Sequence, residues 1–426
     1  MTILLYNIFL WLYQICIRLV SPWNRKAAAW VKGRQGIFKT ISHAEIKGRQ
    51  RVWMHCASLG EFEQGRPVIE SLRKLYPDIT VVISFFSPSG YEIRKNYSGA
   101  DHVFYLPMDS AINAKRFIDL VSPTLVLWIK YDYWYYYLRE LQKRKIPALL
   151  ISPVFREDQP FFKWYGNIHR LMLDSFNVFF VQNQQSHDLL ETLGINQSVF
   201  VSGDTRFDRV SDIAEAFEPI PLVAGFCQGH RVIVAGSTWE EDEEELDHYA
   251  NAHPEIKFII APHEIEEDSL RDIEALYRNS IRYSQLEKQQ ASANRQPPTA
   301  NRESSVLIID NIGMLARLYF YADICYVGGG FGDDGVHNVL EAAVYGRPVI
   351  TGPVIEKYIE VMELAEAGGV IIIDNALEAE SVFNRLFENQ EEYAFHSEAA
   401  RTYVQARRGA TEKIVRYIQE NRLLTS

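Results

Sequence analysis

Asn338 and Glu341 stand three residues apart behind the glycines Gly328, Gly329, Gly330, Gly332 and Gly335. On a helix that spacing puts an amide and a carboxylate on one face, able to serve the same ligand. A carboxylate accepting from two vicinal hydroxyls is the usual grip on a ribose, and free N–H groups at a helix start suit a phosphate. A backbone without Cβ atoms can approach such a ligand closely. A capped helix with a solvated glutamate would use the same residues, so the flanks must decide. Residues 322–327 read as a buried strand, HNVLEAAVYG from His337 as a helix stopped by Gly346, and RPVITGP from Arg347 as another buried strand. Strand, glycine loop, helix and strand make one βαβ unit, which favours the nucleotide reading.

The rest of the chain repeats that alternation. VWMHCAS, ITVVISFF, TLVLWIK, PALLIS and FNVFFVQN are strand-like, with helices expected over 67–75 and up to 145; RVIVAGS, KFIIAP, SVLIID, DICYVGG, PVITG and GVIIID form a second series. The 426 residues exceed one core of about 250–300 residues. The expected architecture is therefore α/β: two Rossmann-like, doubly wound domains, 23–213 and 214–426, with the last helix free to cross back. Residues 208–228, with Pro219, Pro221 and Gly225, read as the linker, and 287–305, rich in Gln, Asn, Ser and Pro, as a mobile loop. Ligands bind outside the carboxyl ends of such strands, so both sites are expected in a cleft between the domains.

Strand ends therefore matter. The first strand ends at Ser58-Leu59-Gly60-Glu61, a carboxylate after a glycine turn. Glu63, two residues on, would face about 200° away on a helix. RVIVA ends at Gly236-Ser237-Thr238, before a helix opening with Glu240, Glu241, Asp242, Glu243, Glu244 and Glu245. Acids in a first helical turn complement the helix dipole. Contact of Ser237 and Thr238 with a phosphate requires those acids to face outward. KFIIAP ends at Pro262-His263. Asp333-Asp334 lacks D-x-D spacing, and no metal site is expected.

A net charge of −11 argues against a nucleic-acid partner. The cysteines Cys16, Cys56, Cys227 and Cys325 are widely separated, without CxxC spacing, as expected of reduced thiols. Residues 1–17 carry no charge, and between Arg18 and Arg51 nine basic residues face one acid, Glu45. The apolar run is slightly short for a span of about 20 residues and contains Asn7 and Gln14. It lacks the charge order and cleavage site of a signal peptide. Residues 1–22 are expected to be a membrane anchor, spanning or lying in the interface, with the basic flank cytoplasmic.

Five ordered segments resemble the 3-deoxy-D-manno-octulosonic acid (Kdo) transferases, bacterial enzymes of lipopolysaccharide assembly. WMHCASLGEFEQG resembles the family's W-x-H-x-x-S-x-G-E, VSGDTRFD its V-x-G-N-x-K-F-D, and Gly236-Ser237-Thr238 its G-S-T-x-x-x-E-E. Gly335-Val336-His337-Asn338-Val339-Leu340-Glu341 with Gly346-Arg347-Pro348-Val349 and Gly352-Pro353 resembles G-H-N-x-x-E and G-[KR]-P-V-x-x-G-P, Val336 being inserted. Arg408-Gly409-Ala410 resembles N-R-G-A.

The resemblance implies a GT-B glycosyltransferase that inverts configuration. It would move Kdo from CMP-Kdo to the lipid A precursor at the cytoplasmic face of the inner membrane, without a cofactor or protein-bound metal. It implies Glu61 as general base and Ser237, Thr238, His263, Gly335, Asn338 and Glu341 as donor contacts. His263 stands where many members have Arg. Ser58, Gly60, Ser89, Lys130 and Asp132 would meet the acceptor. IKYDYW departs there from M-E-T-E-L-W, Lys130 replacing one Glu and Asp132 the other; the tyrosines around Trp134 could cover acyl chains or simply pack. The alternatives are a UDP-sugar GT-B enzyme of the cell envelope, a dinucleotide oxidoreductase, disfavoured because no acid ends the next strand, RPVITGP, and a non-catalytic membrane scaffold.

Overall fold

The computed structural model describes residues 2–195, 197–292, 304–333 and 335–425. The chain divides into two units, one of Met1–Arg209 with Arg408–Ser426 and one of Val210–Arg407. The boundary falls inside a helix, Thr205–Glu215, and Pro221–Cys227 is helical too, so most of the expected linker is regular structure.

In the first unit seven strands, β1 (Arg51–Cys56), β2 (Thr80–Phe85), β3 (His102–Tyr105), β4 (Leu125–Ile129), β5 (Ala148–Ile151), β6 (Val178–Val181) and β7 (Ser198–Val201), form a parallel sheet ordered 3-2-1-4-5-6-7. All five residues of β4 are buried, as a parallel strand covered on both faces requires. Alternate residues feed separate cores: Trp53, Val82 and Trp128 join Phe117 and Tyr137 on one face. Val52, Met54 and Leu127 join Phe62, Ile69, Ile414 and Ile418 on the other. Ile414 and Ile418 belong to the helix Ala410–Glu420. Its start is held by Asp208, whose carboxylate accepts from the N–H groups of Gly409 (2.6 Å) and Thr411 (2.7 Å). Two family-like segments some two hundred residues apart thus meet at one carboxylate.

The helix Thr2–Val20 docks one stripe on this unit. Leu10 is buried with Trp30 and Met108, and Tyr6, Tyr13 and Ile17 pack beside them. The Tyr6 hydroxyl donates to Asp109 (2.7 Å), and Asn7 accepts from Tyr136 (2.9 Å). Asp109 also accepts from the N–H groups of Tyr136 and Tyr137, so the tyrosine run opens a packed helix, Tyr135–Lys143. Leu4, Leu5, Phe9, Trp11 and Leu12 remain exposed. The apolar window Ile3–Val20, mean hydropathy 1.8, is long enough to cross a membrane.

In the second unit β8 (Val232–Thr238), β9 (Lys257–Pro262), β10 (Ser280–Arg282), β11 (Val306–Ile308), β12 (Ile324–Val327), β13 (Val349–Thr351) and β14 (Val370–Ile372) form a parallel sheet ordered 10-11-9-8-12-13-14. Its core centres on Ile233, Phe258, Ile260 and Tyr326. The segment expected to be a loop from 287 begins as helix, Tyr283–Ser292; its remainder to 303 lies outside the described residues. In each sheet one strand has its predecessor's continuation on one side and a later strand on the other, at β1/β4 and at β8/β12. These are the topological switch points where crevices open at the carboxyl ends of strands.

Candidate functional site

At the β1/β4 switch the first helix runs Leu59–Leu75, beginning earlier than the expected Pro67. Ser58 is its N-cap, its hydroxyl accepting from Glu61 N–H (3.5 Å). Gly60 therefore lies inside the helix rather than forming a turn before it. A Cβ on Gly60 would meet nothing within 4 Å, which leaves open space over the helix start. Glu61 is buried, and one carboxylate oxygen accepts from Ala57 N–H.

Burial, together with the nearby Asp132 carboxylate, pushes Glu61 up to about 7; the Ala57 N–H and the Lys130 charge offset part of this. Asp132 is itself pushed to about 6 by burial, and its Oδ2 has no hydrogen-bond partner. Lys130 ends β4 in the left-handed region, φ 55°, which turns the chain there and carries Asp132 toward Glu61. Ser89 is exposed in the short helix Pro88–Arg94, and the next residue, Gly90, lies close enough that a Cβ there would sit 3.1 Å from the Ser58 carbonyl carbon. The structure thus gathers Ser58, Gly60, Glu61, Ser89, Lys130 and Asp132 at one switch point.

Glu63 is engaged elsewhere, on Arg94 (2.7 Å), Arg66 (3.5 Å) and Arg209 (3.8 Å), as the opposite helix face predicts. Trp53 and His55 lie behind the site, both hydrogen-bonded to the Ser84 hydroxyl at 2.8 and 2.9 Å. Asp204, absent from the expected site, is buried against Gln64 and Arg206. Burial works upward on its pKa, but Arg206 and Lys130 outweigh it and hold Asp204 below the usual carboxylate range. The aspartate replaces the family's asparagine and the arginine its lysine, a paired change that reads as charge compensation only once both are seen in contact.

At the β8/β12 switch the acids do not all face outward. Ser237 is a β-bulge residue with φ 55°. Beyond it Trp239, not Ser237 or Thr238, caps the helix Glu240–Ala252. Asp242 is fully buried: one oxygen accepts from the Tyr326 hydroxyl (2.7 Å), the other from the N–H groups of Trp239 (2.9 Å) and Gly329 (2.7 Å). Glu243 is buried and accepts from the Thr238 hydroxyl (2.8 Å). The acids were expected outside because ionised carboxylates would repel a phosphate. They come inside because three donors satisfy Asp242 and because burial, with Asp242 and the neighbouring glutamates, pushes Glu243 up to about 7. A hollow of about 500 Å³ beyond Thr238 is lined by Glu240, Glu241, Glu243, Glu244, Glu264 and Asp272, the wrong charge for a nucleotide phosphate.

The helix expected from His337 is regular only over Leu340–Ala343. Asn338 explains the delay: its side-chain oxygen accepts from Leu340 N–H (3.3 Å), and its amide donates to Glu341 (3.1 Å). Asn338 and Glu341 are therefore joined, as their spacing suggested. Gly335, φ 82°, carries the chain into this segment. Gly330 and Gly352 meet backbone to backbone, since a Cβ on either would come 2.5 Å from the other. His337 leaves the helix to accept from the Trp239 indole (3.0 Å), and His263 stacks on both rings at 4.4 and 4.6 Å. Trp239 was missed in the sequence because a lone tryptophan after a strand reads as core; its place directly after Ser237-Thr238 was the available signal.

Among the described residues one His/Asp/Glu trio, His187, Asp188 and Glu191, has ligand atoms within 4.8 Å of one another, on the surface of the helix Gln184–Thr192. Asp334 lies outside the described residues. All four cysteines are free.

Residues 31–209 match the profile of the family described as 3-Deoxy-D-manno-octulosonic-acid transferase (kdotransferase). A 3-deoxy-D-manno-octulosonic acid transferase of Haemophilus influenzae is 24% identical over 86% of this chain and 86% of its own length. A bifunctional glycosyltransferase/methyltransferase of Fusobacterium nucleatum is 24% identical over 99% of this chain, which spans 62% of that protein. The UDP-GlcNAc 2-epimerase of Neisseria meningitidis, solved with UDP-GlcNAc, superposes with a TM-score of 0.61 at 18% identity over 87% of this chain and 100% of that one. At that identity the likeness concerns the fold: two parallel-sheet α/β domains of GT-B type.

Proposed function

The chain belongs to the 3-deoxy-D-manno-octulosonic-acid transferase family and is a glycosyltransferase; from that premise we propose that it moves Kdo from CMP-Kdo to a lipid A precursor. An acceptor hydroxyl attacks the anomeric carbon of Kdo as the bond to the CMP phosphate breaks, with inversion. Glu61 takes the hydroxyl proton, and CMP departs carrying the bonding electrons. Asn338 and Glu341 hold the ribose; His263 and the backbone at Ser237 and Gly335 meet the phosphate, while the Thr238 hydroxyl stays engaged by Glu243. Ser58, Gly60, Ser89, Lys130 and Asp132 position the acceptor, Lys130 toward a phosphate on it.

The observation that carries this reading is Glu61 itself, buried at a switch point with its carboxyl pushed up to about 7. A general base works best when its pKa lies near the operating pH. The helix Thr2–Val20 supports a place at the cytoplasmic face of the inner membrane. A helix docked by Tyr6, Leu10, Tyr13 and Ile17 along its length offers lipid one side only, which favours lying in the interface over spanning it.

Mass spectrometry of the product from purified protein, CMP-Kdo and a tetraacyl disaccharide bisphosphate tests the assignment. One or more added Kdo masses are expected. Absence of product with CMP-Kdo, together with tighter binding of UDP than CMP, would replace it with a UDP-sugar enzyme.

A further inference from the structure

The helices Thr2–Val20, Arg25–Arg34 and Ile37–His43 enclose a hollow of about 690 Å³. Its walls carry four cations, Arg18, Arg34, Lys39 and Arg116, and no carboxylate. Its floor is apolar, formed by Trp30, Ile37 and Met108.

The four cations are not equivalent. Arg34 fastens its helix to the segments that follow β2 and β3: its guanidinium donates to the carbonyls of Leu106 (3.0 Å) and Phe86 (2.8 Å) and lies 3.9 Å over the Trp30 ring. Arg116 lies 4.4 Å over the Phe38 ring. Arg18 and Lys39 are exposed, and no carboxylate among the described residues pairs with either. In a chain with eleven more acidic than basic residues, a hollow with cations and no acid is a built asymmetry.

Its position narrows the ligand. Arg18 sits on the last turn of the helix whose far side exposes Leu4, Leu5, Phe9, Trp11, Leu12 and Leu19, and Trp23, 86% exposed, follows that helix. An exposed tryptophan beside basic residues is typical of the level of lipid headgroups. A ligand seated here meets cations and an apolar floor, with an apolar helix face beside it. That combination matches an anionic headgroup joined to acyl chains.

We propose that this hollow binds the phosphate headgroup of an anionic membrane phospholipid and thereby sets the depth and orientation at which the helix lies in the bilayer surface. The proposal rests on the interfacial reading of Thr2–Val20 and not on sugar transfer. Binding is measured without donor or acceptor, so failure of either reading shows separately.

The test is sedimentation of the full-length protein with vesicles of phosphatidylcholine alone and of phosphatidylcholine mixed with phosphatidylglycerol. Arg18→Gln with Lys39→Gln is expected to lower partitioning onto the mixed vesicles about thirtyfold, roughly fivefold per charge. It should leave partitioning onto phosphatidylcholine unchanged. Lys26→Gln, an equally basic neighbour outside the hollow, should change it less; an equal loss means a diffuse basic surface and overturns the pocket. Soluble dihexanoyl phosphatidylglycerol should bind the wild-type protein one to one by calorimetry, and inorganic phosphate should not displace it. No binding, or displacement by phosphate, overturns the proposal. A raised KM for the acceptor in phospholipid-free detergent would assign the hollow to the acceptor's phosphate instead.

Discussion

At the carboxyl ends of β1 and β4 the buried Glu61 accepts from the Ala57 N–H, and one oxygen of its neighbour Asp132 has no hydrogen-bond partner. At the carboxyl ends of β8 and β12, Asp242 receives three donors and Glu243 takes the Thr238 hydroxyl. The topology is the same, and in both places burial raises carboxyl pKa values. Hydrogen-bond supply separates Asp242, with three donors, from Glu61 and Asp132. A carboxylate with both oxygens engaged, as in Asp242, is a fastener, here tying the glycine loop to a helix start. One left short of donors at the same depth retains the capacity to accept a proton from something else. A buried acid at a strand end is therefore a weak indication of catalysis until its donors are counted.

The comparison breaks most decisively at Glu61. Glu61→Gln is expected to lower transfer by about 10²–10⁴ while CMP binding, measured by calorimetry, stays unchanged. Wild-type kcat/KM should rise with pH and level off above about 7, where the base is ionised. Retained turnover in the variant would make the two pairs of acids equivalent. Asp242→Ala should act through stability instead. It strands the Tyr326 hydroxyl and the N–H groups of Trp239 and Gly329, at about 1–3 kcal/mol per unsatisfied group, a loss on the order of 3 kcal/mol or more in urea unfolding.

The same Glu61→Gln variant sharpens the contrast through pH. Glu61 has a folded value of about 7 against an ordinary 4.5, so folding is favoured below 4.5 and that contribution is lost as pH rises through about 7. Glutamine never ionises. The variant should be more stable than wild type above pH 7, by roughly 3 kcal/mol, and equal to it in acid; thermal melts at both ends of the range decide. A variant less stable at every pH would mean that Glu61, like Asp242, is a fastener. The smallest effect is expected at Asn338→Ala, which loses the link to Glu341: CMP affinity should fall about fivefold, the worth of one hydrogen bond of ~1 kcal/mol.

The parallel strands were legible because β4, β5 and β6 are continuous apolar runs buried on both faces. β3 and β10, short and at sheet edges, were not, since HVFY and SIR carry too few apolar residues to stand out. The Asn338–Glu341 pair was legible because its spacing is local. The inward turn of Asp242 was not, because its partners Tyr326 and Gly329 are more than eighty residues away. The left-handed Lys130 and Ser237 give no sequence signal, as neither is a glycine or asparagine, the residues that usually adopt φ above zero.

Asp208 holds the start of Ala410–Glu420, and Ile414 and Ile418 of that helix complete a core begun by Val52, Met54 and Phe62. Those partners are made more than three hundred residues apart on the ribosome. The first sheet must therefore wait, one face only partly covered by Phe62 and Ile69, through synthesis of the whole second unit before Ile414 and Ile418 arrive. At about 5–20 residues per second that interval lasts on the order of ten seconds or more. During it that face lacks part of its apolar cover, so loss of the helix Ala410–Glu420 should be felt as aggregation of nascent chains before any defect in chemistry.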